Sequence, residues 1–411
     1  MEGIPHDSMR RRVVMGSAGM AGVLALPACQ STGGGGGGGV APRARFAYAG
    51  AYTVRAPGGR SPRADAAPAT GISVFGVAGD TGALTRSQVV AATNPAHLAL
   101  NRAQTRLYAI NEVADYAGRK DAGSVEAYAI DDASGRLTLI NRQAIGPIPA
   151  HFSIDPSGRY VVIATYVGGG FQLLPILPDG SLGTVISELK QSGSGPHQRQ
   201  QSPHPHMALF DPSGRHVVTT DLGLDRIETL RIDGGQLQRV SAVSITPGSG
   251  PRHLAFGSNG RIVYVINELS ATIMVFGFDP ASGRLGPAIQ TVATVPADFP
   301  AHKSTAAILV HPSGRYLYGT NRKFENHPLA DSIVGYRIDE SSGRLQLIGH
   351  TTTGAAFPRT MNFDPTGTWL YVLNQKGDTI VQFAIDQATG DLTATGRVTD
   401  AVTPAGLVFR T

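Results

Sequence analysis

Arg252 stands near the start of a short apolar run, Gly250-Pro251-Arg252-His253-Leu254-Ala255-Phe256, and Glu268 closes the next one, Arg261-Ile262-Val263-Tyr264-Val265-Ile266-Asn267. Ser258-Asn259-Gly260 between them reads as a turn, so the runs predict a hairpin with both charged residues at its open end. Positions equivalent to these two, found elsewhere in the chain, hold His206, Arg322, Arg359, Gln375 and Glu112. Three arginines around one cavity suit a phosphate or carboxylate, because guanidinium forks bind such oxygens through paired, charge-assisted hydrogen bonds. Glu268 beside Arg252 stays ionised and can accept a proton or orient water, and His206 titrates in the range useful for proton transfer. Arg252 can face a carbonyl oxygen as it becomes an anion. No Gly-x-Ser-x-Gly elbow is present to carry a serine mechanism.

These positions recur because the sequence does. A proline before a short strand returns at Pro95, Pro149, Pro205, Pro251, Pro358 and Pro404, with Thr305 in its place once. A turn follows each start, as in Asp155-Pro156-Ser157-Gly158, Asp211-Pro212-Ser213-Gly214, His311-Pro312-Ser313-Gly314 and Asp364-Pro365-Thr366-Gly367. A second hairpin is marked by Ser134-Gly135-Arg136-Leu137, Ser282-Gly283-Arg284-Leu285, Ser342-Gly343-Arg344-Leu345 and Thr389-Gly390-Asp391-Leu392. Two hairpins make four strands, and a period of about 52 residues with four strands is a propeller blade. Six complete units run from Pro95 onward, so a seventh must be assembled from both chain ends, with Ala405–Arg410 as its inner strand. The fold class expected is all-β, a seven-bladed propeller of four-stranded antiparallel blades. Long loops at 54–70, 113–123 and 190–202 are expected to shape a pocket.

In such a ring the residue after the proline begins the strand lining the central channel: Ala96, Ala150, His206, Arg252, Ala306, Arg359 and Ala405. The alanines are expected to open space and the polar arc to face it. His97, His151 and His253, one position on, are expected to point away from the channel and pack blades together. Asp221 with Asn111, Asn267, Asn321 and Asn374 reads as turn capping. His197, His204 and His206 lack a carboxylate at ligand spacing, so no metal is expected.

With 52 Gly and 27 Pro in 411 residues, the composition argues for tight turns rather than long helices. A formal charge of +5 with no Lys/Arg run beyond the first residues excludes a phosphate-backbone binder, so no nucleic-acid partner is expected. Arg10-Arg11-Arg12 precedes Val13–Leu26, an apolar stretch too short to span a bilayer, which ends at Leu26-Pro27-Ala28-Cys29. The arginines resemble a twin-arginine export signal, and the small residues before the only cysteine resemble a bacterial lipobox, despite the unusual Pro27. Residues 1–28 are therefore read as an export signal, 29–44 as a Gly-rich tether and 45–411 as the propeller domain. Cys29 would be lipidated and the protein exported, periplasmic and held to a membrane only through that anchor.

Ser202-Pro203-His204-Pro205-His206, Gly250-Pro251-Arg252-His253, Asn267-Glu268-Leu269 and Pro358-Arg359 resemble the lactonase family of seven-bladed propellers. That family includes bacterial 6-phosphogluconolactonases and fungal carboxy-cis,cis-muconate cyclases, and the resemblance covers Arg45 to Arg410. It implies His206, Arg252 and Glu268 at the active centre, with Arg322 and Arg359 holding the substrate anion and neither metal nor organic cofactor; Gln375 and Glu112, at equivalent repeat positions, are expected to bind substrate beside them. The expected activity is opening of an acidic, sugar-type lactone by Glu268- or His206-activated water, in a monomer or weak homo-oligomer. The alternatives are a muconate-type lactonizing cycloisomerase and a non-catalytic exported propeller that binds a ligand or partner.

Overall fold

The second run of each unit, such as Ile262–Asn267, is β-branched or aromatic at nearly every position and too short for a stable helix. Its residues are buried on both faces, whereas the fourth run, such as Gln236–Ser244, alternates between covered and exposed positions. That contrast is what a radial stack of sheets requires, with middle strands sandwiched between neighbours and outer strands half in water. In a computed structural model, residues 42–54, 71–296, 299, 304–322 and 331–411 are described. The expected export signal, Cys29, the glycine run and most of the 54–70 loop lie outside them.

The described strands form seven four-stranded antiparallel sheets. Six are built from consecutive strands, and their inner strands are Pro95–Leu100, Pro149–Ile154, Pro205–Phe210, Pro251–Phe256, Thr305–Val310 and Pro358–Phe363. These are blades one to six in the order given. In the seventh, Pro404–Arg410 pairs with Phe46–Ala51, which pairs with Gly71–Val77 and then Leu84–Ala91. Strands from both ends of the described chain thus complete the seventh blade as the repeat requires, so Phe46–Ala51 is paired on both sides.

The core lies between blades. Val218 and Ile227 of blade three, for example, pack with Leu254, Val263, Val265 and Phe276 of blade four. The Asp-Pro-Ser/Thr-Gly turns hold because the aspartate bonds the backbone beyond the turn, as Asp155 Oδ1 does to the amides of Arg159 and Tyr160. Tyrosines on second strands staple one blade to the next. Tyr108 donates to the Gly180 carbonyl at 2.9 Å, Tyr264 to Gly343 at 3.0 Å, Tyr318 to Gly390 at 2.7 Å and Tyr371 to Gly82 at 2.6 Å.

Candidate active site

Two backbone features put chosen residues at one mouth of the channel. The first is a hydrogen bond repeated in every blade, from the amide just past the second strand to the carbonyl just before the inner strand. It runs from Glu112 to Asn94, Tyr166 to Ile148, Leu222 to His204, Glu268 to Gly250, Arg322 to Ser304 and Gln375 to Phe357, at 2.7–3.0 Å. The expected pairing of hairpin start with hairpin end is thereby met in six blades. In the seventh the same bond joins Tyr52 to Thr403 at 3.1 Å, which makes Tyr52 the missing member of the set.

The second feature is a bulge at the start of each inner strand. Pro251 pairs with Asn267 and His253 with Ile266, so Arg252 is an extra residue, and the other six inner strands are irregular at the same place. A bulge breaks the in-and-out alternation and turns successive side chains toward the same side. This corrects the expectation for His97, His151 and His253. The His151 and His253 rings, from blades two and four, lie 5.7 Å apart, which two blades separated by a third achieve only across the channel. His97 lies tilted against His151 at 4.0 Å, and His253 meets His206 edge-on at 5.2 Å. The four imidazoles thus form a continuous line of ring contacts, from His97 through His151 and His253 to His206.

Glu268 is the electrostatic centre. Its Oε1 lies 2.6 Å from both Arg199 Nη1 and Arg322 Nη2, and its Oε2 lies 3.1 Å from Arg252 Nε. Burial alone would raise its pKa, but Arg322, Arg199 and Arg252 outweigh burial and hold the carboxyl well below its usual range. Arg252 is only 2 % exposed, and its Nη1 donates to the Ala306 carbonyl at 2.6 Å and meets His253 Nε2 at 3.1 Å. Arg322 also reaches Ser304 Oγ at 3.2 Å, with its guanidinium 5.1 Å from the Phe357 ring. Burial works against both cations and Glu268 works for them, and a guanidinium keeps its proton at any pH of interest.

A second carboxylate organises the neighbouring sector. Arg359 Nη2 lies 2.9 Å from Glu112 Oε2, which also accepts the Tyr52 hydroxyl at 2.5 Å, and Arg359 packs 5.0 Å over the Tyr52 ring. Burial pushes the Tyr52 phenol up, so it stays a donor. His206 is buried, and burial followed by the Arg252 charge lowers its pKa far below that of a free imidazole. This overturns its expected titration in the neutral range: His206 is uncharged there. Its Nδ1 has no partner among the described residues. Four guanidinium groups thus face two carboxylates and a neutral imidazole.

Residues 46–409 match the family described as "Lactonase, 7-bladed beta-propeller". The chain belongs to this lactonase family. It is 38% identical over 301 residues to a 6-phosphogluconolactonase of Bacillus subtilis, covering 73% of this chain and 82% of that protein. A 6-phosphogluconolactonase of Formosa agariphila is 33% identical over 342 residues, covering 80% and 92% of the two chains. Among solved structures, the periplasmic gluconolactonase PpgL of Pseudomonas aeruginosa is similar with a TM-score of 0.79 and 29% identity, over 89% of this chain and 99% of that one.

Within this lactonase propeller the structure brings Arg252, Glu268 and Arg322 into direct contact, with Arg359 and Glu112 paired beside them. Gln375 is buried at the end of its second strand with Oε1 unpartnered among the described residues. Ala96 and Ala405 do not open space as expected, because they cluster with Tyr52, and Ala306 is fully buried; Ala150 alone of the four alanines is partly exposed. Asp221 caps as expected, its Oδ1 accepting the His204 and Gly223 amides, though burial pushes its carboxyl up to about 7. His204 stacks on Tyr166 at 4.2 Å, and Tyr166 stands edge-on to His206 at 5.7 Å. Among the described residues no group of three or more His, Cys, Asp or Glu is placed to hold a metal.

Arg199 and Tyr52 were not singled out from the sequence. Tyr52 would have emerged by continuing the count past Pro404 onto the other end of the chain. Arg199 sits in the 190–202 loop, whose excess length was the only signal.

Proposed function

We propose that the protein hydrolyses an acidic, sugar-type lactone, with His206 as general base and Arg252 as the oxyanion partner. The observation that carries this is the division of labour at Glu268. Its two oxygens already serve three guanidinium groups, which leaves a weakly basic carboxylate whose job is to hold arginines in place. The neutral imidazole of His206, with an unpartnered ring nitrogen, is the better acceptor for a proton from water.

The step balances with the groups present. Water adds to the lactone carbonyl as His206 takes its proton, and the carbonyl oxygen becomes an anion facing Arg252. Collapse breaks the ring C–O bond, and the proton on His206 passes to the departing alkoxide to give the open hydroxy acid. The surplus of guanidinium over carboxylate matches a phosphate, which carries about −1.5 to −2 at neutral pH. Arg322 and Arg359 supply the static part of that field, and Gln375 with Glu112 line it.

Replacing Arg252 with alanine tests the assignment. Loss of one oxyanion donor costs on the order of 100- to 1,000-fold in kcat. The fold should persist, because Glu268 keeps Arg199 and Arg322. Rates on a panel of lactones, with and without chelator, together with a thermal melt, give both readouts. Undiminished turnover by a folded variant would remove Arg252 from the mechanism.

The leader supports export and lipid attachment at Cys29, with the propeller tethered outside the inner membrane as a monomer or weak homo-oligomer. Radiolabelled palmitate incorporation that disappears in Cys29→Ser tests the anchor; equal labelling of both would refute it.

A further inference from the structure

We infer that Arg199 is the residue that recognises the substrate's acid group, exchanging its bond to Glu268 for one to the incoming phosphate or carboxylate. This rests on the lactonase reading and adds to it a residue that lies outside the repeat.

Among the three guanidinium groups on Glu268, two are built in. Arg252 and Arg322 are 2% and 3% exposed, and each has a second partner that fixes it, the Ala306 carbonyl and Ser304 Oγ. Arg199 is different in kind. Its side chain is 41% exposed, and its remaining contact is a 3.3 Å bond from Nη2 to the Tyr166 hydroxyl. Two buried cations already neutralise the single charge of Glu268, so the third is surplus to it. Arg199 alone of the three has solvent beside it, so it can leave Glu268 without stranding an unpaired cation in the interior, which makes this the detachable one.

The loop is built to let the side chain move while its base stays fixed. Gln200, fully buried, donates to the Leu222 carbonyl at 2.8 Å and accepts the His197 amide at 3.0 Å. The Gly195 amide bonds the Gln200 carbonyl at 2.8 Å, and the Gln200 amide bonds that of His197 at 2.7 Å. Arg199 therefore projects from a pinned turn, and rotation about its own bonds suffices to turn its fork from Glu268 to a ligand. Its other contact, Tyr166, stands against His206, so an anion held there lies beside the proton acceptor.

The test is the preference between two substrates differing only in the acid group, 6-phosphogluconolactone and glucono-δ-lactone, measured for wild type, Arg199→Gln and Arg199→Lys. A charge-assisted fork gives a preference of roughly 10- to 100-fold. Arg199→Gln should lose that factor through KM for the phosphorylated lactone, with kcat on it changed by no more than a few-fold. Arg199→Lys should recover part of it, and inhibition by inorganic phosphate should weaken in parallel in Arg199→Gln. A proportional fall in kcat on both substrates, or an unchanged preference, overturns the inference. If wild type turns over no lactone, the lactonase reading fails by itself. Calorimetric binding of 6-phosphogluconate then decides Arg199 separately, with equal affinity in wild type and Arg199→Gln counting against it.

Discussion

His206 is enclosed by groups that oppose its protonation. Burial is the largest, followed by the Arg252 charge, and Arg359 adds to them, while only Glu268 among the charged neighbours favours the cation. A general base must be neutral to act, and one whose pKa is depressed remains so as the solution turns acidic. The acid limb of kcat/KM should therefore fall below about pH 6.5, the ordinary midpoint of a histidine. A pH–rate profile from 4 to 8 checks this, and an inflection at or above 6.5 would contradict it. His206→Asn should cost on the order of 100- to 10,000-fold and abolish that limb. At this scale the sequence was partly legible. Arg252 and Glu268 belong to one hairpin, so counting along the chain placed them together. The protonation of His206 was not legible, because it depends on how many charges from other blades surround the ring.

The hairpin itself depends on a backbone that most residues resist. Gly250 sits at φ +64°, its amide bonds Asp225 Oδ1 at 2.7 Å, and its carbonyl receives the Glu268 amide at 2.7 Å. A Cβ here would lie 2.5 Å from Leu269 Cγ, in a conformation that already disfavours any side chain. Gly250→Ala should cost about 1–3 kcal/mol of stability. It should also reduce kcat/KM in the molecules that remain folded, since Arg252 and Glu268 flank the strained point. Chemical denaturation and steady-state rates on the same preparation separate the two effects; unchanged stability with full activity would show that the loop absorbs the methyl. The bulge beside Gly250 is also where alternation misleads a reader of the sequence. One extra residue turns His253 toward the channel with Arg252, and no period-two pattern encodes that. Arg199 escaped for a related reason, since it lies on an irregular loop out of phase with the repeat.

Over the whole molecule, the repeat made the seven-fold ring legible because each unit carries its own Pro and Gly punctuation at a near-constant interval. The seventh unit was legible only as a remainder, and Tyr52 was lost in it. Ring closure rests on Pro404–Arg410 pairing with Phe46–Ala51 and on Thr403 and Tyr52 bonding reciprocally. Deleting residues 404–411 should leave an open six-blade array with an unpaired strand at its edge, prone to associate. Size-exclusion chromatography should find aggregates and no lactone turnover, and a monomeric, active product would show that six blades suffice.

The same junction ties completion of the chain to onset of chemistry. Tyr52 reaches Glu112 from a strand end held by the carbonyl of Thr403, 351 residues further along the chain. A nascent propeller can finish six blades and still lack the phenol that, with Arg359, holds Glu112. It becomes a competent catalyst only when Pro404–Arg410 docks on Phe46–Ala51, so chains that have not closed the ring stay silent.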